Sequence, residues 1–195
     1  MASNLKVPFP SIRIEYPEWV RHLTHHTRPF STDEDKMRLA IDLSRENVLR
    51  ETGGPFGAVI LEIGSGTPIS VGVNMVVSQN NCVLHAETVA IMMAQAQLSS
   101  FSLRAKGAGA YELVTSCEPC AMCIGAILWS GVKRVVCGAT REDAERLHFD
   151  EGPVFPQSYM YLRNKGIEIV KGVCRDEARS ILELYRERGG IIYSG

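Results

Sequence analysis

Two short stretches of this chain hold residue types that rarely crowd together without a chemical reason. Cys117, Cys120 and Cys123 fall within seven residues, Cys117-Glu118-Pro119-Cys120-Ala121-Met122-Cys123, and His85-Ala86-Glu87 lies upstream. On a helix, Cys120 and Cys123 at i and i+3 direct both sulfurs to one side, where they can close on a single ion. With His85 as third ligand, two thiolates and a neutral imidazole balance Zn²⁺ and leave one position for water. Such an ion makes water nucleophilic near neutral pH. Glu87, two residues from His85, is placed to carry the water's proton without being a ligand. Both clusters open helices, where backbone N–H groups and the macrodipole favour thiolate over thiol. The competing reading is a closed structural Cys3His site that also uses Cys117. Against it, Cys117 ends a strand and precedes Pro119, so its side chain should leave in a different direction from the helical pair.

These residues need a scaffold. Ser31, with Glu34 three residues on, resembles a capping box, and Met37, Ala40, Ile41, Leu43, Val48 and Leu49 give the following helix an apolar face up to Gly53-Gly54. Residues 55–63 and 69–77 are β-rich runs on either side of Gly64-Ser65-Gly66-Thr67-Pro68 and predict a hairpin. Further strands are expected at 111–116, 132–137 and 167–173. Helices are expected at 85–98, at 119–130 with Pro119 in an opening position, at 141–147 and at 175–188. Strands alternating with helices after one hairpin imply an α/β fold with a mixed sheet and helices on both faces. Residues 1–30, with Pro8, Pro10, Pro17 and Pro29, read as an extension on the surface of a domain spanning 31–188, and 189–195 as a tail.

Composition narrows the function classes. A chain of 195 residues that is 45% hydrophobic and 22% charged can bury a sizeable core. Its longest apolar run, Ala121 to Trp129, is nine residues, too short for a hydrocarbon layer of about 30 Å. Lys and Arg total 21 against 22 Asp and Glu, so nucleic acid is disfavoured as a partner. The N-terminus lacks a basic start followed by an apolar core, which points to the cytoplasm and reduced thiols. Cys82, Cys137 and Cys174 read as buried small hydrophobes. His22, His25 and His26 fall at i, i+3 and i+4, and a solvated face is preferred to a metal site because no acid or thiol lies near them.

The H-x-E and P-C-x-x-C pair is the pattern of zinc deaminases, and over roughly residues 35–195 the chain resembles the cytidine deaminase superfamily, most of all its guanine deaminases. The motifs are Gly54-Pro55-Phe56-Gly57-Ala58-Val59-Ile60, Asn74, His85-Ala86-Glu87 and Thr115-Ser116-Cys117-Glu118-Pro119-Cys120-Ala121-Met122-Cys123. Transfer-RNA adenosine deaminases carry similar H-A-E and E-P-C-x-M-C segments. Trp129, together with Asp143-Ala144-Glu145 followed by Phe149-Asp150-Glu151, is similar to the guanine deaminase branch. The resemblance implies a three-layer α/β/α sandwich with a mixed five-stranded sheet, and one zinc per chain on His85, Cys120 and Cys123. It implies catalysis by Glu87 and by Glu151, which stands where the family also uses Asp. It further implies purine contact by Asn74, Phe56 and Ala86, and Trp129 reaching into a neighbouring subunit's pocket. Tyr193 would close the site, in some members from a swapped partner tail. The activity implied is hydrolysis of guanine to xanthine and ammonia by a homodimer. The alternatives are another amino-heterocycle of cytosine, pterin or triazine type, tRNA adenosine, and a zinc-stabilised module without chemistry. Against tRNA, Arg175, Arg179, Arg186 and Arg188 are offset by Asp176, Glu177, Glu183 and Glu187.

Overall fold

The computed structural model describes residues 11–23, 29–104 and 109–193. In chain order come α1 (Glu18–Leu23), α2 (Asp33–Leu49), β1 (Gly57–Glu62), β2 (Pro68–Val73), α3 (Ala86–Gln97) and β3 (Tyr111–Cys117). They are followed by α4 (Ala121–Ser130), β4 (Arg134–Ala139), α5 (Arg141–Glu145), α6 (Pro156–Asn164), β5 (Glu168–Val170) and α7 (Arg175–Glu187). The sheet order is β2-β1-β3-β4-β5. β1 pairs antiparallel with β2 and β3, whereas β3–β4 and β4–β5 are parallel.

Successive strand side chains point to opposite faces, and here both faces are covered. Val59, Leu61, Val114 and Val136 pack with Met37, Ile41, Ile181 and Leu182 of α2 and α7. Ala58, Ile60, Leu113 and Val135 pack with Ala90, Ile91, Ala94 and Ile127 of α3 and α4. The result is the expected three-layer α/β/α sandwich. Within the expected extension, α1 buries Trp19 and Val20 against the α2 side of the core. No helix among the described residues is long and apolar enough to cross a membrane.

Several element ends differ from expectation for local reasons. The cap of α2 is Thr32, not Ser31: its hydroxyl accepts the Asp35 N–H, and Asp33, Glu34 and Asp35 complement the positive end of the helix. β2 stops at Val73, because Asn74 accepts the Val76 N–H on its own Oδ1 and turns the chain. β5 has only three residues, since Gly172 (φ 77°) and Cys174 (φ 50°) swing the chain into α7. α6 has no counterpart among the expected elements. It opens with Pro156, its Ser158 hydroxyl accepts the Phe155 N–H, and it buries Tyr159 and Leu162 one turn apart. Of the three cysteines expected inside, Cys137 is buried, but Cys82 is exposed and Cys174 is half-buried at the start of α7. His22 is exposed on α1, and His25 and His26 lie outside the described residues.

At the N-terminal end of the parallel strands, Glu112 is fully buried and held by two cations. Lys36 Nζ lies 2.6 Å and Arg134 Nη1 2.8 Å from its carboxylate, and Arg134 also reaches Asp33 and Glu168. This cluster fastens the start of α2 to β3, β4 and β5. Arg134→Leu strips the buried Glu112 of one of its two cations and leaves Lys36, so it should cost about 1–3 kcal/mol. Urea unfolding reads this as a lower midpoint, and an unchanged midpoint would show that the cluster contributes nothing to stability.

Candidate active site

His85 and Cys120 are the N-cap residues of α3 and α4, both extended, and neither side chain is spent on capping. Cys123 follows in the first turn of α4. The donor atoms of His85, Cys120 and Cys123 lie within 4.8 Å of one another, and Cys120 Sγ is 3.5 Å from His85 Nδ1. A tetrahedral zinc with Zn–S of about 2.3 Å and Zn–N of about 2.1 Å sets S and N about 3.6 Å apart. The three donors therefore fit that ion. Cys117 stands apart: its thiol donates to the Thr140 carbonyl, 3.7 Å away.

The placement comes from close packing. A Cβ on Gly72 of β2 would lie 2.0 Å from the Ala86 carbonyl oxygen, so only glycine lets the first turn of α3 rest on the sheet. After β3 the Glu118 N–H donates to the Ala139 carbonyl. The Glu118 carboxylate accepts from the Tyr159 hydroxyl (2.9 Å) and from Lys171 Nζ (2.8 Å). These bonds hold the turn that delivers Cys120. The loop after α5 is tied in by the Ala121 N–H, which donates to the Glu151 carbonyl.

The electrostatics suit a cation. The Cys123 thiol bonds to the Cys120 sulfur, which, with His85 and against the cost of burial, brings Cys120 down to about 4 and leaves Cys123 well above the ordinary thiol range. Burial works against charge on His85, but Cys120, Glu87 and Glu151 outweigh it and raise its pKa. Burial, with Cys120 nearby, pushes Glu87 to about 7; burial, with Cys120 and Glu87, pushes Glu151 to about 8. Both carboxylates are more than nine-tenths buried.

They line one cavity of about 400 Å³ with Phe56, His85, Cys120, Phe149 and Tyr193. Phe149 is central to its walls: its ring meets Phe56 edge-on at 5.1 Å and Tyr193 at 5.8 Å, and stacks on Tyr185 at 6.1 Å. The sequence carries no periodic signal for that role, which only the folded loop creates. Exposed Cys82 also borders the cavity.

The remaining expected residues are placed as follows. Asn74 is fully buried and is absent from the cavity wall, donating from Nδ2 to the hydroxyl of Tyr193, which does line it. Ala86 is buried with the α3 side of the core and is absent from the cavity wall. Trp129 is 83% exposed at the far end of α4 and does not approach the cavity of its own chain. Asp143 caps α5 and binds Arg175, so of the two acidic segments only that of Glu151 enters the site.

A family model of the cytidine and deoxycytidylate deaminase zinc-binding region matches residues 30–139. A guanine deaminase of Bacillus subtilis (strain 168) is 38% identical over 129 residues, which cover 64% of this chain and 75% of that protein. Two solved structures, a guanine deaminase from Nitrosomonas europaea and an asparagine-substituted NE0047 in complex with 8-azaguanine, each match with a TM-score of 0.87 at 38% identity. Each match covers 91% of this chain and 97% of the other. A tRNA-specific adenosine deaminase of Haemophilus influenzae is 30% identical over 161 residues, covering 80% and 84% of the two chains. The matched zinc-binding region takes in more than half of the sequence and contains all three clustered donors, and the chain belongs to the cytidine and deoxycytidylate deaminase family of zinc-dependent enzymes.

Proposed function

We propose that the protein hydrolyses guanine to xanthine and ammonia, with His85, Cys120 and Cys123 as the ligands of one zinc ion. The observation that carries this reading is that two buried carboxylates, Glu87 and Glu151, line one cavity with His85 and Cys120, two of the three clustered donors. When bound, zinc supplies the Lewis acidity that makes water nucleophilic near neutral pH. Glu87 takes the proton of the attacking water and returns it to a ring nitrogen, as water adds to C2 of guanine. Glu87 lines the same cavity as His85 and Cys120, which places its carboxylate to accept and return a proton. Glu87 then takes the proton of the new C2 hydroxyl as C2=O forms, and with the help of Glu151 that proton reaches the amine, which leaves as ammonia when the C2–N bond breaks. Phe56 and Phe149 give the flat ring its apolar walls, and Tyr193 closes the cavity from the tail. An amide nitrogen has two N–H groups. With one on Tyr193, the other remains for the purine edge, which is the role assigned to Asn74. In this reading residues 31–188 are the catalytic unit and the enzyme is cytoplasmic.

The relatives named guanine deaminase, and NE0047 with 8-azaguanine, support a purine base as substrate. The surface argues against tRNA. Arg175 pairs with Asp143, Arg179 with Asp176 and Glu183, and Arg188 with Glu51, so these cations are already engaged.

The first test is conversion of guanine to xanthine by the zinc-loaded protein, followed by absorbance and by ammonia release. Glu87→Gln should lose at least about 10²-fold in turnover while keeping its zinc, and wild-type turnover in that variant would refute its role. X-ray absorption at the zinc edge should count two sulfurs, and three would mean that Cys117 closes the site. A homodimer is also proposed, because α4 buries only Cys123, Ile127 and Ser130 and leaves Trp129 in solvent. Sedimentation should give twice the chain mass, and Trp129→Ala should raise the KM for guanine. A fully active monomer would dismiss the partner role of Trp129.

A further inference from the structure

We infer that the N-terminal segment serves the active site: a hydrogen-bond chain from Trp19 through Thr52 and Asn47 positions Asn74. The inference rests on the reading of Asn74 as the amide that meets the purine edge.

Asn47, on α2, is fully buried, and both ends of its amide are occupied. Its Nδ2 donates to the carbonyls of Gly54 (2.8 Å) and Asn74 (2.9 Å), and its Oδ1 accepts from the Thr52 hydroxyl at 2.7 Å. The two ends of an amide have nearly the same shape, so packing alone does not choose between them. Reversed, Asn47 would turn its oxygen towards two carbonyl oxygens. Thr52 reinforces the observed orientation from the other end: its hydroxyl has Oδ1 at 2.7 Å and the Asn47 backbone carbonyl at 3.4 Å, and the shorter bond is to Oδ1. Thr52 in turn is set by Trp19, whose indole Nε1–H donates to the Thr52 oxygen at 3.0 Å. A hydroxyl that accepts there directs its own proton elsewhere. Trp19 is 8% exposed, with the Arg50 guanidinium 5.9 Å from the centre of its ring.

The clamp on Asn74 is tight. A Cβ at Gly53 would lie 1.8 Å from the Asn74 carbonyl oxygen, so the 53–54 turn touches the Asn74 backbone directly. Asn47 ties both sides of that contact together through the Gly54 and Asn74 carbonyls. None of these three side chains lines the cavity, and Asn74 reaches its wall through the Tyr193 hydroxyl; in the proposed reading they are positioning residues that act through Asn74.

The test is steady-state kinetics on guanine with the full-length, zinc-loaded protein. Thr52→Val should raise KM about fivefold and change kcat by less than about twofold, as expected when binding rather than chemistry is lost. Thr52→Ser should restore KM. Trp19→Phe keeps a ring in the core but loses the donor, and should raise KM about threefold. The double variant should be no worse than Thr52→Val alone, because both act through one link. A merely structural role would lower the melting midpoint and leave KM unchanged, and that result in Thr52→Val or Trp19→Phe overturns the inference. Asn74→Ala separates the two levels. If it raises KM while Thr52→Val does not, the chain fails and the role of Asn74 stands. If Asn74→Ala leaves KM unchanged, or the wild-type protein does not turn over guanine, the reading of the site falls and the chain with it.

Discussion

The site depends on two helices beginning side by side. α3 and α4 both start beside the C-terminal end of β3, and the residues that would hold the ion are their N-caps and first turns. The first N–H groups of a helix have no partner within it, and they carry the positive end of its dipole. Two such ends turned towards one point stabilise thiolate there and make the region hospitable to a negatively charged ligand set. The distance between them is set mechanically, by the missing side chain of Gly72 under α3 and by the Glu118 turn before α4. The Glu151 loop joins the same unit, because its carbonyl takes one of the N–H groups at the start of α4.

Two buried carboxylate environments in this fold show what the site is built to hold. Glu112 has two cations within 2.8 Å and acts as a fastener. Glu87 and Glu151 are also buried, yet they line one cavity near the Cys120 sulfur, with His85 as the positive group beside them. Burial and mutual repulsion favour their protonated forms. A divalent cation on the three donors reverses that balance by placing the largest local charge where the negative groups converge. Because binding needs deprotonated sulfur, taking up the ion would displace the proton held by Cys123. The affinity for the ion thus arises from the accumulation of negative charge around the three donors.

The parts of the site that were legible in the sequence were local. Cys120 and Cys123 fall together because i and i+3 share a side of any helix, and Glu87 follows His85 by two residues whatever surrounds them. The sheet was legible because short apolar runs separated by turn residues alternate with helical periods. What escaped depends on distant contacts. The shift of the α2 cap from Ser31 to Thr32 reflects which hydroxyl reaches the Asp35 N–H. α6 is held by Tyr159 on Glu118 and by Leu162 in the core, partners far away in sequence. Cys82, read as a core residue, is exposed at the cavity mouth, and Phe149 becomes its central wall only when Phe56, Tyr185 and Tyr193 gather around it.

Asn74 joins the two ends of the chain. Its backbone oxygen is held by Asn47, whose orientation traces back to Trp19 near the start, and its side-chain nitrogen is held by Tyr193 near the end. An amide that must present one particular donor or acceptor to a flat heterocycle cannot be oriented by shape, because its oxygen and nitrogen are nearly the same size. It has to be oriented by bonds, and each bonding partner must itself be oriented. That requirement recruits residues well outside the catalytic motifs. The N-terminal segment, without strong periodicity of its own, buries a tryptophan against α2 and bonds it to Thr52. The motifs supply reactive groups, and the segments flanking them supply the directional bonds that decide which edge of a substrate those groups meet.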